Sequence, residues 1–172
     1  VYDIDSMQLI DSLRKMRDDG LFINGEEIKN SKKAEVKAPK IYIGAAANPF
    51  GDPFEFRVIR LAKKVNAGAD FIQTQCIYDM DRFERWMEGV VKRGLHKKVK
   101  IMAGVTPLKS LGMAKYMRDS VAGLSVPDYY LDRLRKVTEG KEKKEASQAA
   151  AEEGIKMCVE QIQRFRQMEG IA

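Results

Sequence analysis

The chain has 172 residues, 44% of them hydrophobic and 33% charged, which fits a globular protein able to bury one core. Its net charge of +6 is spread over interleaved basic and acidic residues, with no arginine-aromatic run of the kind that binds nucleic acid. No stretch is long and apolar enough to span a bilayer, so neither nucleic acid nor a membrane is an expected partner.

The opening, Val1-Tyr2-Asp3-Ile4-Asp5, lacks the basic and apolar regions of a signal peptide. It starts on Val rather than Met, which leads us to expect a chain that begins inside a longer polypeptide. The cysteines, Cys76 and Cys158, are far apart, and His96 is the single histidine. That inventory argues against a zinc site or a Cys-His nucleophile. Two buried, reduced thiols in a cytoplasmic protein are the expectation.

Asp5 or Ser6 can cap a helix through Met7, Leu9, Ile10, Leu13 and Met16, stopped by Gly20. Residues 22 to 39 are polar and Lys-rich and read as a loop with a turn at Asn24-Gly25. The run from Lys40 to Ala47 is apolar almost throughout, as in a strand covered on both faces. Asn48-Pro49 ends it. Phe54, Val58, Leu61, Ala62 and Val65 repeat at helical spacing. A second strand follows at Asp70–Cys76, then a helix through Phe83, Trp86, Met87, Val90 and Val91 that stops at Gly94. Val99–Ala103 is a third strand, Gly104–Pro107 a loop, and Leu111, Ala114 and Met117 mark a short helix. Pro127 opens a helix through Leu131, Leu134 and Val137. The last helix runs from about Ala146 to Met168, with Ile155, Cys158, Val159, Ile162 and Phe165 as its expected buried stripe.

Strand-helix alternation three times over predicts parallel strands with helical crossovers, an α/β fold. Three strands leave two raw edges, and no element of the sequence obviously covers them. The fold is therefore a small open α/β layer or an incomplete arc of a barrel. In both, the loops leaving the C-terminal ends of the strands hold any active site.

Those loops carry the candidate residues. Asn48 offers a donor and an acceptor after small alanines, although a turn-forming Asn-Pro explains it equally well. Gln75 can pair with a heterocycle edge, or simply bond to neighbouring backbone. Gln73 and Gln75 share one strand face, with Thr74 on the other. Lys63 and Lys64 suit either an anion or the negative end of their helix. Trp86 with Phe83, and Met113 with Met117, read as core. His96 sits in a Lys-rich loop and is expected to be exposed.

Particular words go further. Lys63-Lys64-Val65-Asn66-Ala67-Gly68-Ala69-Asp70-Phe71-Ile72-Gln73-Thr74-Gln75, then Tyr78-Asp79, then Ile101-Met102-Ala103-Gly104-Val105-Thr106-Pro107-Leu108, then Val126-Pro127, resemble the methylenetetrahydrofolate reductase family in order and spacing. Gly44-Ala45-Ala46-Ala47-Asn48-Pro49 fits a bacterial branch of it. The resemblance implies a (β/α)8 TIM barrel that binds FAD at its strand ends. NAD(P)H or another donor reduces the flavin, which passes a hydride to 5,10-methylenetetrahydrofolate.

By resemblance, Gln75 matches the residue that bonds the folate pterin. Lys64 matches a lysine near the FAD phosphates, and Lys63 an arginine beside it. Asn48 stands where some members place a tyrosine against the flavin nucleotide. Arg57 and Arg60 stand where better-known members have Asp and Asn, which puts Arg60 among the cofactor-facing positions. Met113 and Met117 stand where those members have Gln and Phe at the substrate. The family's catalytic Glu and its flavin-tuning Asp would both precede Val1, and the last strand would follow Ala172. No catalytic acid is therefore expected within the chain, which reads as a single partial barrel domain, 1–172, in an oligomer or with a partner subunit. Two other readings compete: a folate-binding methyltransferase-type barrel subunit without flavin, and a non-catalytic half-barrel scaffold.

Overall fold

A computed structural model describes residues 3–29 and 37–172. Val1-Tyr2 and the middle of the polar 22–39 stretch lie outside the described residues. Asp5 caps the first helix, α1 (Ser6–Arg14). Its Oδ1 accepts from the Met7 and Gln8 backbone N–H groups at 2.8 Å, while Gln8 Oε1 accepts from the Asp5 N–H at 2.7 Å. This reciprocal box satisfies donors that a helix start otherwise leaves open. A π-helical turn (Lys15–Asp19) extends α1 to Gly20, whose φ of 66° ends it.

Three βα units follow: β1 (Gly44–Ala47) and α2 (Phe54–Ala67), β2 (Phe71–Cys76) and α3 (Met80–Lys92), β3 (Lys100–Gly104) and α4 (Leu111–Asp119). Then come α5 (Asp128–Thr138) and α6 (Lys143–Phe165). The sheet order is β1-β2-β3, parallel throughout, with Gly44 opposite Phe71 and Phe71 opposite Lys100. This is the α/β arrangement expected from the alternation.

One face of the sheet is packed. Ile43, Ile72 and Ile101 meet Val58, Leu61 and Val65 of α2 and Phe83, Trp86 and Val90 of α3. A second cluster joins Leu108, Ala114, Leu131, Leu134 and Met157. Trp86 stacks on Phe83 with both fully buried, so the expected core pair holds. Cys76 and Cys158 are free thiols; Cys158 is buried, but Cys76 is only half-buried.

The other face of the sheet is open, which corrects the expected double cover of the first strand. Regular strand begins at Gly44 rather than Lys40, and Gly44, Ala46, Gln73 and Met102 are exposed along that face. The helices supply apolar side chains to one side only. Tyr42 stacks on Phe71 at 5.4 Å instead, and the Phe71 ring lies where a Gly44 side chain would sit.

Three further expectations change. The outer edge of β3 is not wholly raw: Ile171 bridges Ile101 in parallel, and the Ala172 N–H donates to the Ile101 carbonyl at 2.8 Å. That returning segment also buries His96, which was expected in solvent. Its side chain is 7% exposed, with Nε2 3.0 Å from Glu169 Oε1 but off a hydrogen-bonding direction. Finally, α6 buries only Cys158 and Phe165 of its expected stripe, because the helix is turned. Glu153, Gly154, Met157, Cys158, Gln161 and Phe165 face inward, whereas Ile155, Val159 and Ile162 are exposed at 58%, 47% and 45%. Gly154 explains the rotation, because its missing side chain lets α6 lie against the Leu108 backbone.

Candidate functional site

Parallel pairing puts the ends of β1, β2 and β3 at one rim. Thr74 links two of them: its Oγ1 donates to the Gln75 carbonyl at 2.8 Å and accepts from the Gly104 N–H at 2.9 Å. The link needs a close approach. A Cβ on Gly104 would stand 2.7 Å from the Gln75 carbonyl oxygen, a backbone atom that cannot swing aside. Beyond it, the Tyr78 hydroxyl donates to the Thr106 carbonyl at 3.1 Å, and Cys76 Sγ lies 2.9 Å from Thr106 Oγ1. The loop after β3 is thus tied to β2 from several sides.

At the β1 and β2 tips lies a hollow of about 370 Å³. Ala46, Ala47 and Leu61 give it small or apolar walls. Its polar lining is Asn48, Arg57, Arg60, Lys64 and Gln75, three cations with no carboxylate among them. The Lys64 ammonium donates to the Ala46 carbonyl at 2.6 Å, and burial, followed by the nearby Arg60 charge, pulls its pKa below the ordinary lysine value. Arg57 donates to the Asp52 carbonyl at 2.6 Å and leaves its Nε buried without a partner. Gln75 Oε1 is buried and equally unpartnered. Asn48 does serve the turn, since its Oδ1 accepts the Phe50 N–H at 2.9 Å. Its amide nitrogen is left for other work.

A cavity with unbalanced positive charge and an orphan acceptor suits an anionic ligand that also carries an N–H donor. Asn48, Arg60, Lys64 and Gln75, singled out from the sequence, meet in this hollow. Lys63 does not line it; its ammonium sits 5.9 Å from the Phe56 ring centre. Met113 and Met117 lie half-buried on α4 away from the hollow, and Met117 packs on the second core cluster. Arg57 joins the hollow, although the sequence marked it only as a departure from a pattern. Gly123, in the turn after α4, sits beside both amides and had no local signal in the sequence: a Cβ there would lie 3.0 Å from Gln75 Oε1 and closer still to Asn48 Nδ2.

Lys64 gives a pH test. The folded state holds its proton less tightly than the unfolded chain does. Stability should therefore rise with pH between the depressed folded value and the ordinary 10.5. Urea titrations should show this alkaline gain in the wild type and a smaller one in Lys64→Met. Pyrophosphate should raise the wild-type melting temperature more than that of the variant.

Among the described residues no helix is long and apolar enough to cross a membrane, and no group of three or more His, Cys, Asp or Glu side chains could hold a metal ion. The sequence profile of the family described as Methylenetetrahydrofolate reductase matches residues 27–171. A Schizosaccharomyces pombe protein, "Methylenetetrahydrofolate reductase 1", is 29% identical over 127 residues, covering 72% of this chain and 20% of that protein. The Saccharomyces cerevisiae protein "Methylenetetrahydrofolate reductase 2" is 30% identical over 106 residues, 61% of this chain and 16% of its own. A Caenorhabditis elegans protein, "Probable methylenetetrahydrofolate reductase (NADPH)", is 25% identical over 127 residues, 72% of this chain and 18% of its own. The matched region thus spans no more than a fifth of each of these relatives. With the profile covering most of the sequence, the chain belongs to the methylenetetrahydrofolate reductase family.

Proposed function

We propose that the chain forms one arc of a (β/α)8 barrel that reduces 5,10-methylenetetrahydrofolate to 5-methyltetrahydrofolate with bound FAD. The observation that carries this reading is the hollow itself, where three cations without a carboxylate stand beside the orphan Gln75 acceptor. Those residues fit the cofactor and the substrate. Lys64, Arg60 and Arg57 would hold the FAD diphosphate, with Asn48 beside the nucleotide. Gln75 Oε1 would accept an N–H from the pterin and so orient the folate. FAD, when bound, supplies the hydride; NAD(P)H or another donor replenishes it.

The hollow contains no acid among the described residues, so the proton that opens the substrate ring is not assigned to its walls. The open sheet face, with Gln73 and Met102 exposed, suits a surface that further barrel strands or a partner subunit would cover. The free thiols suit a reducing, cytoplasmic setting. A bare scaffold would leave the three-cation lining without a task.

The test is made in the intact polypeptide. Gln75→Ala should lower folate turnover by about 10²-fold, the cost of one substrate hydrogen bond in a dry site, while flavin absorbance per protein stays near wild type. Lys64→Ala should chiefly lose flavin. If Gln75→Ala loses both to the same degree, Gln75 is structural and the reading fails.

A further inference from the structure

The turn between α4 and α5 closes over the two amides of the site. Gly123 has a φ of 80°, and a side chain there would have to push aside two amides: Asn48 Nδ2 and Gln75 Oε1 both lie against the space a Cβ would take. The turn has few hydrogen bonds, and Leu124 with the buried Val126 seats its end in the second core cluster. The Leu124 N–H reaches the Val121 carbonyl at 3.3 Å, and the Ser125 hydroxyl donates to Asp79 Oδ2 at 2.8 Å. Asp79 is itself anchored as the cap of α3, accepting from the Arg82 N–H at 3.0 Å. In this closed arrangement Gln75 Oε1 is shut away from water and has no donor. Gly123 supplies none, since its own atoms facing the amide are carbon-bound hydrogens. A buried acceptor without a partner is unfavourable, so closure is held by Ser125 and by the packing of Leu124 and Val126 against a standing cost.

We propose that residues 121–125 are a lid on Gln75: the amide receives folate only after the turn lifts about the anchored Val126, with Gly123 setting the closed position and Ser125 latching it. This rests on the folate role given to Gln75 above. Neither Gly123 nor Ser125 touches the reacting atoms; both are positioning residues. Any larger residue at 123 meets two obstacles at once, the overlap with Asn48 and the positive φ. The closed form therefore favours glycine, chiefly through the positive φ.

The experiment follows association of 5-methyltetrahydrofolate with the intact, flavin-loaded polypeptide by stopped flow. In the wild type the observed rate should level off as folate rises, the plateau being the opening rate. Ser125→Ala should raise that plateau by about tenfold, the effect of losing one charge-assisted hydrogen bond. Gly123→Ala should raise it further and speed hydrogen exchange at 121–125 with no ligand present. A wild-type rate that climbs linearly with folate, and a Ser125→Ala rate equal to it, would overturn the lid. Gln75→Ala separates the two claims. If that variant still binds folate as tightly as wild type, the role of Gln75 fails first, whatever the turn does.

Discussion

Trp86→Ala is expected to destabilise the protein by about 3–5 kcal/mol, and Trp86→Phe by less than about 1.5 kcal/mol. Trp86 is fully buried on α3 and stacks on Phe83 at 5.6 Å between ring centres. Phe83 in turn meets Phe165 of α6 edge-on at 5.5 Å. Truncation to alanine would open a cavity between the sheet and α3 and loosen the contact that seats α6. The phenylalanine variant keeps most of that stack. It also loses no hydrogen bond, because the indole Nε1 is buried without an acceptor. Removing that N–H takes away a desolvated donor and offsets part of the lost volume. Urea unfolding followed by far-ultraviolet circular dichroism measures both values. An alanine variant within about 1 kcal/mol of wild type would mean that the cluster collapses around the gap.

Most of the fold was legible because its punctuation is local. Gly20, Gly68 and Gly94 each follow a helical run and each takes a positive φ, at 66°, 114° and 65°. The apolar spacing of Val58, Leu61 and Val65, and of Phe83, Trp86 and Val90, named the faces that α2 and α3 bury. Parallel order then placed Asn48 and Gln75 at one rim without further information. The unreadable parts depend on contacts between distant segments. His96 looks exposed in its Lys-rich neighbourhood, and only the return of Glu169–Ala172 buries it. Gly123 looks like any turn glycine, and its meaning comes from two amides far away in sequence. Lys63 and Lys64 are adjacent on a helix, so they must diverge; position alone does not say which one reaches the Ala46 carbonyl.

On α6 the sequence and the packing agree only at Cys158 and Phe165. Ile155, Val159 and Ile162 form a proper helical stripe, yet the helix buries Glu153, Gly154 and Gln161 instead. Two things outweigh those apolar side chains. Backbone approach at Gly154 sets the rotation, and polar partners wait on the buried side. Gln161 donates to the Ile77 carbonyl at 2.8 Å and to the Tyr130 hydroxyl at 3.0 Å. Arg133 of α5 donates through Nε to Glu153 at 2.7 Å and reaches Glu160 through Nη2 at 2.9 Å. Glu153 is only 8% exposed and pairs chiefly with that guanidinium; the other nearby cation, Lys156, stands 3.9 Å away and is itself largely in solvent. Arg133→Ala should therefore cost about 3–5 kcal/mol, chiefly by leaving a desolvated carboxylate unpaired. The paired change Arg133→Met with Glu153→Met should recover most of that loss, because two apolar side chains of similar length fill the α5–α6 seam without stranding a charge. Equilibrium unfolding of the three variants decides it. A double variant as unstable as Arg133→Ala would show that Glu153 is not the source of the cost, and that Arg133 stabilises the seam through Glu160 and through the Tyr129 hydroxyl, to which it donates at 2.7 Å.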